Sequence, residues 1–292
     1  MGKRKSQRDP EDLPDAAEAK GKQKDDDDSG SDEDMDTVNV DFEWFDPQPA
    51  VDFHGLKTLL RQLLDVDAQL FDLSELADLI LSQPLLGSTV KVDGNETDPY
   101  AFLTVLNLET HKDKKVIQDL TSYLSRHSPQ IPSLAPLLAP SSPAQIGLIL
   151  TERFINMPHE IIPPMYTMLL EEIQWALAEK EPYAFTHYLV LSKCYTEIAS
   201  SLPSAEQPPS KKKKQQKGGE EVFYFHPEDE TLQRFALGTG SFEYETPVDE
   251  GASDSRRAFQ EMGVKAKGHL VLVEAGRFAE AVEGVKTFLG GA

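Results

Sequence analysis

The sequence predicts an α/β (α+β) fold in which helices flank a mixed central sheet. Three observations lead to this fold class. Segments with the helical period alternate along the chain with segments of strand period. Residues 144–150 form an apolar run of the length typical of a buried central strand. No internal repeat is present.

Five helices are predicted from apolar residues that recur at spacings of three and four. They span residues 56–64, 73–81, 116–124, 165–177 and 278–289, and a shorter helix is expected within 232–236. Pro84 ends the second helix, whereas Pro163 and Pro164 suit the first turn of the fourth.

Alternating or continuous apolar runs predict the strands. The first strand lies within residues 37–44 and is ended by Pro47 and Pro49. The others span residues 88–92, 101–108, 144–150, 185–195, 222–225 and 268–273. A Pro-rich connection is expected up to Pro143, and residues 251–267 are predicted to form a loop.

The domain organisation follows from shifts in composition. Residues 1–36 have almost no large apolar side chains, which predicts a disordered acidic head with a basic N-terminus. Residues 37–292 are expected to form a single α/β domain. A flexible Lys-rich insertion is predicted at about residues 200–219, where Pro208 and Pro209 precede a lysine run.

The formal charge of the 292-residue chain is −21, and it extends beyond the head. Residues 1–36 carry 7 Lys and Arg against 13 Asp and Glu, a net of −6, which leaves −15 for the remaining residues. An acidic body repels phosphate backbones and anionic lipid and attracts basic proteins. Direct nucleic-acid binding is therefore not expected, although acidity that serves only solubility is the alternative. Membrane insertion is not expected either, because no stretch of 18 apolar residues occurs.

Motifs for catalysis, metals and cofactors are incomplete. Gly238–Thr239–Gly240–Ser241 lacks the lysine of a phosphate-binding loop and is better interpreted as a bend in a strand. His159 and Glu160 begin like a metalloprotease helix, but Pro163 stands where the second histidine ligand belongs. Cys194, the only cysteine, indicates a reducing compartment and is expected to be a buried, inert thiol. No cofactor, metal or catalytic residue is predicted.

Charged runs supply the candidate functional residues. Two basic runs are candidate nuclear import signals: Lys3, Arg4, Lys5, Lys211, Lys212, Lys213 and Lys214. The alternative is that these runs are merely solvated loops. Ser29 and Ser31 lie in a context that favours acidophilic phosphorylation. The acidic run is a candidate clamp for a basic client, formed by Asp25, Asp26, Asp27, Asp28, Asp32, Glu33 and Asp34. Acidic positions on helices and residues 243–250 are further candidates in aggregate.

Four segments resemble the BCCIP/Bcp family, named in animals for interaction with a breast-cancer protein and a kinase inhibitor. They are VNVDFEWFDP at residues 38–47, GLILTERFINMP at 147–158, IPPMY at 162–166 and FYFHPEDE at 223–230. The resemblance covers about residue 36 to the C-terminus. It implies a GNAT-type acetyltransferase fold without known acetyltransferase activity, in a nuclear or shuttling protein. Because fungal members of the family are linked to them, the resemblance also implies nuclear export of a phosphatidylinositol kinase and chaperoning of a large-subunit ribosomal protein. Animal members are linked to cell-cycle control and DNA repair.

An acyl-CoA site is not expected in such a fold here. The pyrophosphate would bind backbone amides where a helix follows the central strand, and this position is occupied by residues 157–164. The segment has no glycine, three prolines without amide donors, and Glu160, which repels phosphate. The expected function is a non-enzymatic nuclear adaptor that escorts basic clients and meets import and export receptors. The alternatives are an acyl-CoA-dependent acetyltransferase and a cell-cycle or DNA-repair regulatory binding protein.

Overall fold

The structure is a computed structural model that describes residues 40–83, 86–197, 221–247 and 263–290. One mixed sheet runs through these ranges in the order β1-β2-β3-β4-β5-β8-β7, and β6 pairs only with β5. The strands are β1 (Phe42–Phe45), β2 (Ser88–Val92), β3 (Ala101–Asn107), β4 (Ile146–Arg153), β5 (His187–Glu197), β6 (Val222–Tyr224), β7 (Gly238–Phe242) and β8 (Val264–Glu274). All neighbours are antiparallel except β4 and β5.

Seven α-helices lie in the described ranges: α1 (Pro49–Leu64), α2 (Leu73–Leu81), α3 (Lys115–Arg126), α4 (Leu134–Leu138), α5 (Ile162–Ala178), α6 (Glu228–Leu232) and α7 (Ala275–Leu289). Short 3₁₀ turns occur at Asp65–Leu70, His159–Ile161 and Gln233–Phe235. Helix α5 is the crossover between β4 and β5, because parallel neighbours cannot be joined by a tight turn. None of the described helices is both long and apolar enough to span a bilayer.

The helices form two layers, one on each face of the sheet. Successive side chains of a strand point to opposite faces, so Leu148 and Leu150 of β4 join the core under α1 to α4, whereas Ile149 joins the core under α5 and α7. Neighbouring β5 repeats the division with Leu189 and Val190. The mixed sheet flanked by helices confirms the predicted fold class.

Several predicted boundaries need correction. Pro49 does not end the first strand region but begins α1, where its missing N–H is harmless. The Pro-rich connection contains the short helix α4. The predicted loop at 251–267 is wrong for residues 264–267, which extend β8 beside the upper part of β5. The predicted strand rests only on the continuous apolar run that follows and misses that Val264 and Ala266 alternate with two lysines, which is itself a strand pattern.

Two further elements bear on function. Gly238–Phe242 is strand β7, as the strand interpretation of its glycines predicts. Strand β4 continues three residues beyond the predicted apolar run, through Thr151, Glu152 and Arg153, and all three side chains are buried. The predictions for the acidic head and for the insertion fall on residues outside those that the structure describes.

Candidate functional site

Strands β4 and β5 pair for half of their length and then separate. Their parallel ladder runs from Ile146 opposite His187 to Leu150 opposite Leu191. Beyond it, β8 still occupies the far edge of β5, but the near edge pairs with β6, at Cys194 to Thr196, instead of with β4. The result is a gap between the upper halves of two central strands.

Seven polar side chains fill this gap, and we call them the gap cluster: Glu152, Arg153, Ser192, Lys193, His226, Glu228 and Asp229. None has more than 8% of its surface exposed. The strand residues come from the upper halves of β4 and β5, and the others come from the turn after β6 and from α6. Because two successive residues of a strand point to opposite faces, the cluster reaches both faces of the sheet.

On the face of α1, Glu152 is the centre of the cluster. Lys193 Nζ lies 2.5 Å from its Oε2, and His226 Nε2 lies 3.1 Å from its Oε1. Lys193 also donates to the carbonyl oxygen of Gln62 in α1, at 3.1 Å. Burial opposes the charge of Glu152, but Lys193 and His226 outweigh it and bring its pKa down to about 2. This carboxylate is therefore an anion at neutral pH.

On the face of α6, Arg153 binds Glu228 through both guanidinium ends, with Nη1–Oε1 at 2.6 Å and Nη2–Oε2 at 3.1 Å. A bidentate pair of this kind is among the strongest polar contacts in proteins. Burial opposes ionisation of Glu228, yet Arg153 and His226 hold the pKa of that carboxyl below its usual value. The pair fixes α6 against the end of β4.

His226 crosses from one face to the other through the gap. Its Nε2 contacts Glu152, its Nδ1 lies 3.1 Å from Ser192 Oγ, and Ser192 Oγ lies 2.5 Å from Asp229 Oδ2. Two proton arrangements satisfy every contact. In one, an imidazolium faces an anionic Asp229; in the other, protonated Asp229 donates to Ser192, which donates to a neutral His226. The two arrangements hold the same number of protons. Burial raises the pKa of Asp229 to about 7 although His226 opposes the shift, which favours the arrangement with the proton on Asp229.

The row Ser192–His226–Glu152 has the hydroxyl, imidazole and carboxylate of a hydrolase triad. The geometry does not support catalysis, because Ser192 is 1% exposed and also contacts Asp229. The surface cavities of 410, 550 and 460 Å³ in the described ranges are lined by other residues. The gap cluster is therefore a structural element that closes the sheet.

The start of α5 does not fit an acyl-CoA pyrophosphate. The 3₁₀ turn His159–Ile161 leads directly into the helix, and the N–H of Ile162 is bonded to the carbonyl oxygen of His159. The next two residues, Pro163 and Pro164, have no N–H to offer. The residues present therefore supply few donors for an anion.

Sequence reasoning missed the gap cluster. Its members come from three segments that are far apart in sequence, and His226 appears in the sequence as one of several isolated histidines. A signal did exist, since Glu152 continues the alternation of Leu148 and Leu150 and therefore had to share their buried face. The predicted import, phosphorylation and clamp residues all lie in the head or the insertion, outside the described ranges.

The surface charges of the described residues are unevenly paired. In the predicted acidic region 243–250, the two described acids are paired: Glu243 contacts Lys265 and Lys267, and Glu245 contacts Arg126 and His127. Residues 248–250 of that region lie outside the described ranges. Short-range pairs also occupy acids of α7: Glu280 with Arg277 and Glu283 with Lys286. These positions contribute little net negative potential.

One edge of the sheet keeps its carboxylates unpaired. The acidic edge, as we call it, comprises Asp41 just before β1, Glu43 in β1, and Asp93, Glu96 and Asp98 in the turn between β2 and β3. All five are exposed, and within the described ranges no Lys or Arg lies within 4.0 Å of their carboxylates.

The nearest cation in the sheet is unavailable to these carboxylates. Lys91 pairs with Glu43 in the β1–β2 register, but its side chain is fully buried. Its Nζ contacts Asp52 Oδ1 at 2.6 Å and the carbonyl and side-chain oxygens of Asn95 at 2.7 and 2.9 Å. Lys91 therefore neutralises a buried carboxylate and leaves the outer ones uncompensated.

Comparison with known proteins shows which family the chain belongs to. A sequence model of the BCCIP family matches residues 37–232, which include the whole gap cluster and the acidic edge. The chain belongs to the BCCIP family. Protein bcp1 of Aspergillus fumigatus is 59% identical over 292 residues and covers 99% of both chains. Protein bcp1 of Schizosaccharomyces pombe is 51% identical over 242 residues, covering 81% of this chain and 85% of its own.

A solved structure of the same family has a similar fold. The crystal structure of BCP1 from Saccharomyces cerevisiae superposes with a TM-score of 0.62 at 27% sequence identity. The match covers 88% of this chain and 94% of that one. The resemblance inferred from the four sequence segments is thereby confirmed. The likeness to GNAT-type enzymes stays a prediction.

Proposed function

We propose that this BCCIP-family protein is a non-enzymatic escort that binds basic client proteins in the nucleus. The acidic edge is the observation that carries the proposal, because its five carboxylates have no cation partner in the described ranges. Uncompensated negative charge attracts a basic surface, accelerates encounter and shields that surface from nucleic acid.

The family resemblance supports a more specific client and location. A large-subunit ribosomal protein is the proposed client, because its RNA-binding surface is basic. A lipid kinase is a second proposed cargo, and import and export receptors would carry the protein between nucleus and cytoplasm. Lys211 to Lys214 and the run Lys3–Arg4–Lys5 are the proposed import signals. A fluorescent fusion of the full chain should lose nuclear enrichment when both runs are changed to alanine.

Binding to clients freed from RNA tests the escort directly. The full chain is incubated with large-subunit ribosomal proteins at about 50 mM and about 300 mM salt, where the Debye length falls from about 14 to about 6 Å. The variant D41N/E43Q/E96Q should weaken capture at least tenfold at low salt. The control E109Q/E280Q/E283Q removes the same charge from carboxylates that are locally paired, and it should bind within about twofold of wild type.

Three results would contradict the proposal. Capture that is indifferent to salt, or equal loss in both variants, would remove the acidic edge from the mechanism. Saturable binding of acetyl-CoA in a calorimetric titration would contradict the non-enzymatic part.

A further inference from the structure

The two edges of the sheet are protected in different ways. At β7, the side chain of Gln130 pairs with the strand as another strand would: Nε2 donates to the carbonyl oxygen of Ser241 at 2.9 Å, and the N–H of Ser241 donates to Oε1 at 3.2 Å. Ile131 and Gln130 also lie directly over Gly238 and Gly240, close enough that a Cβ atom at either glycine would collide with them. The β7 edge is covered.

At β1, the outer edge has no such cover in the part of the chain that the structure describes. The backbone contacts of Phe42–Phe45 all run to β2, and the Thr89 hydroxyl donates to the carbonyl oxygen of Phe45 from that same side. An open strand edge offers a row of N–H and C=O groups to any extended segment that approaches it.

We propose that the open edge of β1 binds an extended, Lys/Arg-rich segment of the client as an additional antiparallel strand. This inference rests on the proposed escort function and states how the client is held. Strand addition obtains affinity from backbone hydrogen bonds and specificity from alternate side chains.

The charges on β1 determine which segment fits. Asp41 and Glu43 are two residues apart around the start of β1 and therefore lie on one face of the strand. A second copy of β1 would bring the same carboxylates against each other, and like charges on neighbouring strands repel. The edge thus disfavours self-pairing and favours a basic strand.

The opposite face of β1 adds an apolar requirement. Trp44 is buried, and half-buried Phe42 packs against the core under α5. A strand added beside β1 would place every second side chain next to Phe42 and the alternate ones next to Asp41 and Glu43. The preferred segment therefore alternates Lys or Arg with β-branched or aromatic residues. Its length is about four to six residues, because β1 has four residues and is followed by Pro47 and Pro49.

A pair of isomeric peptides tests the alternation. Fluorescently labelled Lys-Val-Lys-Val-Lys-Val and Lys-Lys-Lys-Val-Val-Val have the same composition and charge, and their binding to the full chain is measured by anisotropy at low salt. The alternating isomer should bind at least about tenfold more tightly. Two N-methylated versions of the alternating peptide are compared, one methylated on its odd-numbered amides and one on its even-numbered amides. Only one of them should lose binding, because successive amides of a strand point to opposite edges and only one edge pairs with β1.

Hydrogen exchange of the complex locates the peptide. The alternating peptide should slow amide exchange within Phe42–Phe45, and D41N/E43Q should lose this protection while E280Q/E283Q keeps it. Equal binding of both isomers, undiminished binding of both N-methylated versions, or protection elsewhere would overturn strand addition while leaving the escort intact. Failure of both peptides together with failure to capture ribosomal proteins would overturn the escort itself.

Discussion

The lower and upper halves of the β4–β5 pair use the same two strands in opposite ways. Up to Leu150 the strands share a continuous ladder, and beyond the first pair, Ile146 with His187, their side chains lie in the hydrophobic core. Above it they separate, and the same strands present Glu152, Arg153, Ser192 and Lys193 to a buried interior. Where two strands separate, backbone N–H and C=O groups lose their partners in the ladder, and an apolar side chain cannot form hydrogen bonds with them. Polar residues are therefore buried where the ladder stops, and Gln62 Nε2, for example, donates to the carbonyl oxygen of Arg153 at 2.8 Å.

This comparison predicts different responses to mutation in the two halves. The largest effect is expected for Arg153→Met, which leaves Glu228 as an uncompensated buried charge and should lower the free energy of unfolding by about 3–5 kcal/mol. Adding Glu228→Met should restore most of the loss. Leu148→Ala in the paired half should cost about 2–5 kcal/mol, and no second substitution should restore it. Urea denaturation measures all of these values; a double variant as unstable as Arg153→Met alone would contradict the account.

The upper half should also respond to pH, which the apolar half does not. The pKa of Asp229 is about 7 in the folded protein because of burial, against an ordinary value of 3.8. Between about pH 4 and pH 7 the folded state therefore keeps a proton that the unfolded state releases, and stability falls as pH rises through this window. Asp229→Asn cannot ionise, so its stability relative to wild type should be about 2 kcal/mol more favourable at pH 8 than at pH 5.

Unfolding by urea at the two pH values measures this difference. Leu148→Ala is the matched control, because its effect should be independent of pH. If the stability of Asp229→Asn relative to wild type were the same at both pH values, Asp229 would be an anion in the folded protein throughout this range, and the account would be contradicted.

The smallest effect is expected for Ser192→Ala, at about 1 kcal/mol near neutral pH. The substitution removes the hydroxyl that supports the charged form of Asp229. The pKa of Asp229 should therefore rise above about 7, and the loss of folding stability with increasing pH should continue to a higher pH than in wild type. The pH profile separates this role from simple packing, since a packing defect would shift the whole profile without changing its midpoint.

Sequence patterns captured the layers of the fold but not the filled gap. The period of α3 and the apolar run of β4 determine their elements locally, so both were predictable. The separation of β4 from β5 depends on segments far apart in sequence, and no local period records it. Net acidity was likewise readable from composition, whereas its concentration at the β1 edge depends on which carboxylates find cations in three dimensions.

Because Cys194 is the only cysteine of the chain and is buried, its rate of chemical labelling can report local opening of the sheet. Its side chain lies where β5 pairs with β6 on one edge and with β8 on the other, and burial raises its pKa to about 12. A thiol reagent therefore reacts only after this region opens, so the labelling rate at low denaturant reports how often the β6–α6 segment leaves the sheet. Release of that segment alone should give a rate nearly independent of denaturant, whereas global unfolding should give a steep dependence.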